Sequence, residues 1–463
     1  MDKKSEDEVR QAYSRRDFLR LSGQAALFLP LSMLVGCNAC GGAGSAVAAS
    51  SAIQPTTPFV GTDTQLLEDL QRTAYQFFWD QGYPATGLIK DRTHANDTDT
   101  YFGCSIAAVG FGLAALCIGD ARGYGTASDI QARIVTTLTT LLYNADQNEG
   151  FFYHFLDWTN GKRIWSSELS SIDTAILICG ILTARQYYSG NSQIVELATE
   201  LYDNVNWQWM LNGGTALSMG WKPESGFLSA RWTRYCELMM LYLLAIGSNT
   251  YPISPDTWDS WTRPTYTYQG ITYISGGDPL FTHQYSHAFF DFRNKHDAYA
   301  DYFRNSVSAT AAHKQFCLSL TGKFPDYADN FWGITASDSI NGYVAWGGPP
   351  AKGPIDGTVV PCAAAGSLPF AYDDCIKVLR QMRAYPRAWS RYGFVDAFNP
   401  LKGYFNADVL GIDLGVSMLM AENYRTQFVW NYFMKNPETI RAMQLAGFQP
   451  NGAAAAAAAA GQR

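Results

Sequence analysis

Apolar residues recur at three- and four-residue spacing in segments at residues 64–80, 103–118, 127–145, 171–188, 192–211, 233–247, 297–320, 368–384 and 411–424. That spacing puts them on one face of an α-helix. Residues 238–246 and several others are apolar on every side, the mark of helices buried between other helices. About a dozen such segments predict an all-α fold with paired inner and outer layers, as in an α/α barrel or toroid. No fixed-period repeat is present. One strand-like stretch, residues 266–273 (Y-T-Y-Q-G-I-T-Y), reads as a hairpin inserted between helices. The Gly- and Pro-rich residues 341–369 form a long loop, and loops of that length in compact domains are usually functional. The apolar pattern has no clear break, so one large domain at residues 62–450 is expected. A linker at 37–61 precedes it and an alanine-rich tail at 451–463 follows.

The first 36 residues read as an address. Ser14-Arg15-Arg16-Asp17-Phe18-Leu19 fits the twin-arginine export pattern, and an apolar run at residues 25–35 follows, too short to be a stable anchor. Leu34-Val35-Gly36-Cys37 has the form of a lipobox with Cys37 as the acylated residue; Ala46-Val47-Ala48 is a competing cleavage site. The expected location is the periplasm or a membrane surface, reached folded, with contact to the membrane only through this lipid.

Composition narrows the class. Only 16 % of the 463 residues are charged and 14 % are aromatic, against roughly 25 % charged in an average globular protein. The net charge of −7 comes with no basic run beyond the N-terminus, and neutralising a phosphate backbone needs clustered Lys and Arg. Nucleic acid is therefore not an expected partner, and a monomer is expected. Of nine cysteines, Cys104, Cys117, Cys179, Cys236 and Cys317 sit in apolar helical patterns, where a thiol behaves as a small hydrophobe. Cys37 and Cys40 have CxxC spacing without a second pair, a poor zinc or redox signal.

Residues 149–174 hold four carboxylates and six aromatic rings in one mostly non-helical stretch. Carboxylates accept charge-assisted hydrogen bonds from sugar hydroxyls, and flat rings such as Trp158 and Trp165 can cover the apolar faces of a sugar. Glycoside hydrolysis needs two carboxyl groups flanking the scissile bond. Glu168 and Asp173 are the first candidates. Asp173 follows Ser170 at capping-box spacing, so a capping role competes with a catalytic one and is compatible with it. Glu237 opens an apolar helix, where burial would raise its proton affinity, while an ion pair with Arg234 would lower it. Asp413, in the first turn of the helix near 412–424, has a similar double reading, and Asp396 lies in an aromatic loop upstream.

His283 and His287 share a helical face at the spacing of a metal pair, with Asp291 one turn on, but hydrogen bonding to sugar hydroxyls or to the carboxylates is the preferred role. No metal or other cofactor is expected. Trp332, Trp346 and Trp221 are possible stacking platforms beside core roles. No G-x-S-x-G elbow, HExxH or phosphate loop occurs.

Several motifs in one order resemble a known family. These are Gly150-Phe151-Phe152-Tyr153-His154-Phe155-Leu156, Ser167-Glu168-Leu169-Ser170-Ser171-Ile172-Asp173-Thr174-Ala175, Tyr235-Cys236-Glu237-Leu238, His283-Gln284-Tyr285-Ser286-His287, Gly393-Phe394-Val395-Asp396-Ala397-Phe398-Asn399 and Gly411-Ile412-Asp413-Leu414-Gly415. Together they resemble the bacterial glucoamylase-like glycoside hydrolases, a family that contains endo-β-1,2-glucanases. The resemblance implies a six-fold α/α barrel with its cleft at one end and inverting hydrolysis of a β-linked glucan. Glu168, Asp173, Glu237 and Asp413 are then the catalytic candidates, with His154, Trp165, His283, His287, Trp332 and Asp396 as substrate contacts. A retaining transglycosylase or cyclising enzyme on the same barrel stays open, as does a non-catalytic glycan-binding lipoprotein. Polysaccharide lyases also use α/α barrels, but an acidic chain argues against a basic uronate cleft.

The address is testable. Replacing Arg15 and Arg16 by lysine should leave the precursor in the cytoplasm, and normal export of that variant would remove the twin-arginine assignment. Cys37→Ala should release the protein from membranes on fractionation; unchanged membrane association would remove the lipid anchor at Cys37.

Overall fold

In a computed structural model the described residues are 53–277, 279–349 and 354–452; the export signal, Cys37, Cys40 and the alanine tail lie outside them. Helices alternate between two kinds. The amphipathic kind includes α1 (Asp63–Asp80), α3 (Ala127–Tyr143), α5 (Ser192–Asp203), α9 (Tyr302–Ser319), α11 (Tyr372–Arg383) and α14 (Pro437–Leu445). The second kind is buried nearly all round: α2 (Ile106–Arg122), α4 (Ser171–Tyr187), α7 (Met239–Ile246), α8 (Tyr285–Phe289), α10 (Pro361–Ala365) and α12 (Gly411–Thr426). Short helices α6 (Trp207–Leu211) and α13 (Phe428–Phe433) complete the set. The buried helices pack on one another, α2 against α4 and α12, α4 against α7, α7 against α8, and α8 and α10 against α12. Amphipathic α1 lies on α2 and α12, α5 on α4, α11 on α10 and α14 on α7.

Polar residues stop the expected helices early or start them late. The continuous helix expected over 192–211 breaks after Asp203, because Asn206 accepts the amide of Trp209 and caps a new helix. The segment at 233–247 becomes helical only at Met239; before it, the Tyr235 amide bonds to the Thr262 carbonyl. The helices α8, α10 and α13 are too short for periodicity to have marked them. Cys104, Cys117, Cys179, Cys236 and Cys317 are buried and free, as expected. Among the described residues, no helix is long and apolar enough to cross a membrane.

The expected hairpin is present as 265–268 paired with 271–274. It is one of many short antiparallel pairs, and several join distant parts of the chain. Residues 92–94 pair with 408–410, Lys90 bridges Cys104, residues 103–105 pair with 155–157, Tyr153 bridges Leu169, and 169–170 pair with 220–221. Strands 408–410, 103–105 and 169–170 run directly into α12, α2 and α4. This belt therefore brings the starts of three buried helices to one end of the domain. The amides opening α12 and α2 bond to the carbonyls of Asp91 (2.8 Å) and His154 (3.3 Å) in the same belt.

The closest approach between helices is at two glycines. A methyl group on Gly180 of α4 would overlap the Gly110 carbonyl of α2, and one on Gly110 would overlap the Ile176 carbonyl. Alanine gains about 1 kcal/mol in helix propensity over glycine, so an unhindered Gly180→Ala would stabilise. Overpacking costs about 1–3 kcal/mol or more when the obstacle is backbone, and the overlap should win. Gly180→Ala should lower the urea midpoint with the slope unchanged; an equal or higher midpoint would contradict this packing.

Candidate active site

The first cluster surrounds the start of α4. The Tyr153–Leu169 bridge and the bond from the His154 amide to the Glu168 carbonyl (2.8 Å) hold the two motifs side by side. The His154 ring then lies between two carboxylates, Nδ1 3.5 Å from Glu168 Oε1 and Nε2 3.6 Å from Asp173 Oδ2, and stacks on Phe155. Ser170 caps α4: its hydroxyl accepts the Asp173 amide at 3.0 Å and donates to the Asp173 carboxylate at 2.6 Å. Ser170, and not Asp173, is thus the cap, and the Asp173 carboxylate that accepts its hydroxyl also faces His154. Beside them Trp165 is half-buried against Tyr101, Phe102 and Phe155. Trp165 and Ser166 both have positive φ (54° and 48°). Two consecutive non-glycine residues in that region cost free energy that a packed surrounding must hold in place.

The second cluster surrounds the start of α12. Leu410 at the N-cap provides no side-chain cap, and Asp413 in the first turn meets Asp396 at hydrogen-bonding reach. Asp396 is 3 % exposed. Its Oδ2 accepts the Asp338 amide at 2.8 Å and the Asn406 side-chain amide at 2.9 Å, while its own amide bonds to the Asp408 carbonyl. Burial, followed by the Asp413 charge, drives the Asp396 carboxyl far above the usual carboxylate range. Two buried carboxylates in contact cannot both ionise, so the pair keeps one proton.

Around this pair are groups that the sequence reading did not select. Arg92 lies 2.9 Å from Asp338, 3.0 Å from Asp91 and 3.9 Å from Asp408, and His94 is 3.6 Å from Asp408. Burial, together with Asp396, Asp338 and Asp408, pushes the Tyr404 phenol up. Asp408 immediately before an apolar helix was a readable signal of the same kind as Glu168. Arg92 was not, because only the belt brings it across the chain.

Glu237 lies two residues before α7 and is buried. Its carbonyl accepts the Ser286 hydroxyl at 2.8 Å, which ties the start of α7 to α8. Arg234 donates to the Tyr266 hydroxyl at 2.7 Å.

Three expected substrate contacts are corrected. His283 is 2 % exposed, its Nδ1 paired with the Tyr235 hydroxyl at 3.1 Å, and burial pushes its pKa down to about 3. His287 pairs through Nε2 with Ser306 at 3.0 Å among Phe292, Phe303 and Phe370, and burial takes it down to about 3 as well. Both rings are enclosed by protein and support the fold beneath the site. Trp332 is fully buried beside His313, and Trp346 is buried with its ring N–H on Ser337. Helical spacing marked these residues, but spacing does not say which side faces a cleft. Trp221 is half-buried beside Trp209. Asp291 is held by Arg293 at 2.9 Å. Among the described residues, no group of three or more His, Cys, Asp or Glu is arranged to hold a metal ion.

The family described as "Putative glucoamylase" matches residues 229–437. The curated exo β-1,2-glucooligosaccharide sophorohydrolase (non-reducing end) of Parabacteroides distasonis is 29 % identical over 429 residues, 84 % of this chain. The chain spans 58 % of that relative's length. A structure from Bacteroides uniformis ATCC 8492 with the same description as the family is similar at TM-score 0.80 and 28 % identity, over 85 % of this chain and 99 % of that one. The endo-β-1,2-glucanase from Chitinophaga pinensis, solved as a sophorotriose and glucose complex, gives 0.77 and 26 % over 84 % and 99 %. The resemblance to the glucoamylase-like family read from the motifs is borne out.

The shared proton has a consequence for stability. The native Asp396 carboxyl holds its proton above the pH at which the unfolded chain loses it. The pair therefore costs nothing below the unfolded value near 4 and destabilises increasingly as pH rises above it. Asp396→Asn should be more stable than the native chain at pH 7, by about 1 kcal/mol or more, with the difference vanishing near pH 3. Urea unfolding at the two pH values measures this, and a variant less stable at pH 7 than at pH 3 relative to the native chain would refute the shared proton.

Proposed function

We propose that the chain is a glycoside hydrolase that cleaves β-1,2-linked glucan, acting within the polymer and with inversion, on a six-fold α/α barrel. The β-1,2 linkage is supported by the similarity to both the sophorohydrolase and the endo-β-1,2-glucanase, and internal cleavage by the similarity to the latter. The observation that carries it is the Asp396–Asp413 pair at the start of α12. Two carboxyl groups in hydrogen-bonding contact are too close to flank a glycosidic bond, which takes a separation of roughly 6.5–9.5 Å in inverting enzymes and about 5 Å in retaining ones. The pair therefore acts as one unit, and a carboxyl group from another helix start completes the mechanism.

Glu237 is that group. In a ring of α2, α4, α7, α8, α10 and α12, each backed by an amphipathic helix, α7 lies across the axis from α12. The packing of α12 on α2, α2 on α4, α4 on α7, α7 on α8 and α10 on α12 supports most of this order, while α8 also meets α12 directly. A sugar bound over the ring would then meet Glu237 on one side and Asp413 on the other, one to protonate the leaving oxygen and one to activate water. Glu168, Asp173 and His154 line the rim between them, with the half-buried Trp165 as an aromatic surface. Export by the twin-arginine route and a lipid at Cys37 would put this activity at the outer face of a membrane.

Glu237→Gln and Asp413→Asn should each lower hydrolysis of β-1,2-glucan by about 10² to 10⁴ while the thermal midpoint stays within a few degrees. The anomeric configuration of fresh product, read by NMR, should be inverted, and products of several lengths should appear early. Near-native turnover in both variants would overturn the assignment; release of one disaccharide only would overturn internal cleavage.

A further inference from the structure

The groups packed around Asp396 form a chain of charge and hydrogen bonds that the proposed chemistry does not itself use. Arg92, on the strand at 92–94, contacts the Asp338 carboxylate at 2.9 Å. Asp338, on the strand 337–339 that pairs with 342–344, directs its backbone amide to Asp396 Oδ2 at 2.8 Å. The Asn406 side-chain amide bridges the same two residues, 3.3 Å from Asp338 Oδ2 and 2.9 Å from Asp396 Oδ2. Three segments far apart in sequence thus meet on one oxygen of one carboxyl group.

We propose that Arg92, acting through Asp338 and Asn406, is a positioning residue that fixes the rotamer of Asp396 and with it the contact Asp396 makes with Asp413. The proposal rests on the hydrolase reading above and extends it to the control of that site. The physical argument is directional. With Oδ2 held by two N–H donors, the other oxygen of Asp396 is the one left to meet Asp413. A guanidinium on the far side of Asp338 neutralises a carboxylate that would otherwise raise the proton affinity of the pair. The charged and titratable groups facing the pair are Asp338, Asp408, Asp91, Arg92, His94, Tyr101 and Tyr404. Arg92 is the cation among them that contacts Asp338.

Two substitutions must then act in opposite directions. Arg92→Gln removes a positive charge and leaves Asp338 uncompensated, so the apparent pKa of the pair should rise. Asp338→Asn removes a negative charge, keeps the backbone amide and leaves the Arg92 charge, so it should fall. Arg92→Lys keeps the charge and should restore most of the native value. The limb of the kcat/KM pH profile governed by the pair should move by about one unit in each direction. Titration of the aspartate carboxyl signals by ¹³C NMR, with aspartate labelled in the native chain and in the Asp396→Asn variant to identify the pair, reads the same shift without any turnover. Opposite shifts by NMR support the proposal even where no β-1,2-glucan is cleaved, which would then count against the hydrolase reading alone. Shifts of the same sign, or a fall in kcat with no shift in either measurement, would overturn it. Should Arg92→Gln not fold, Asp338→Asn decides: a fall in the apparent pKa with Arg92→Lys near the native value supports the proposal, and a rise or no shift in Asp338→Asn overturns it.

Discussion

A helix that is apolar on every side has few polar contacts along its length to fix its position, and depends on close packing and on what holds its ends. In this domain α2, α4 and α12 are of that kind, and the constraint that fixes them is the belt of short strands at their starts. Each belt strand pairs with a segment from elsewhere, 103–105 with 155–157, 169–170 with 220–221 and 408–410 with 92–94. A one-residue slip would turn every side chain of a strand to the opposite face. The belt therefore sets both the height of each helix and which residue of its first turn points across the end. Asp173, Asp413 and Glu168 owe their positions to it.

The same end of the helices is where carboxylates are cheapest to bury. Unpaired amides and the helix dipole favour negative charge at a helix start, and Asp173 uses this through its Ser170 cap. Asp413 goes further, because the N-cap residue Leu410 gives no side-chain bond and the carboxylate meets a second one instead. At the opposite ends of these helices, carboxylates are neutralised outright. Glu422 is bound by Arg122 at 2.8 Å and Glu438 by Arg185 at 2.6 Å. One end of the domain is thus stabilised by full charge pairing and the other keeps an unfavourable carboxyl pair. That asymmetry is what a catalytic end requires, since a group already neutralised by a cation has little proton to give.

Much of this was legible in the sequence, and the limits have physical causes. Helices α1 to α5, α9, α11 and α12 follow from three- and four-residue spacing, because each is long enough to repeat its apolar face. Helices α8 and α10 span a single turn or so, too short for a period to show. Glu168, Asp173, Glu237 and Asp413 were visible as acidic residues at or just before apolar helix starts, a position that is costly without a use, and Asp396 as one in an aromatic loop. His283, His287 and Trp332 carried the right chemistry at the right spacing, and they failed as contacts because periodicity gives a face without saying what covers it. Arg92 and Asp338 carried no local signal. Their importance comes from a strand pairing between residues about three hundred positions apart and from a hairpin inside the long loop, neither of which a local pattern encodes.

That long loop shows why a variable segment can sit beside a fixed site without disturbing it. Residues 337–344 reach Asp396 through a backbone amide, whose direction depends on the hairpin and not on the side chain that carries it. The Asp338 carboxylate is separately held by Arg92 from the belt. Further along, His313 of α9 bonds to the Gly348 carbonyl at 2.8 Å through Nδ1 and receives the Ile334 amide at 2.9 Å through Nε2. A ring that donates from Nδ1 and accepts at Nε2 must be neutral, and burial keeps it so by taking its pKa down to about 4. The loop is therefore fastened on both sides of the hairpin by groups that do not titrate near neutral pH. Beside these anchors, burial and the neighbouring Asp413 hold the Asp396 carboxyl far above the usual carboxylate range, so the strained carboxyl group lies at the start of α12 and not in the loop around it.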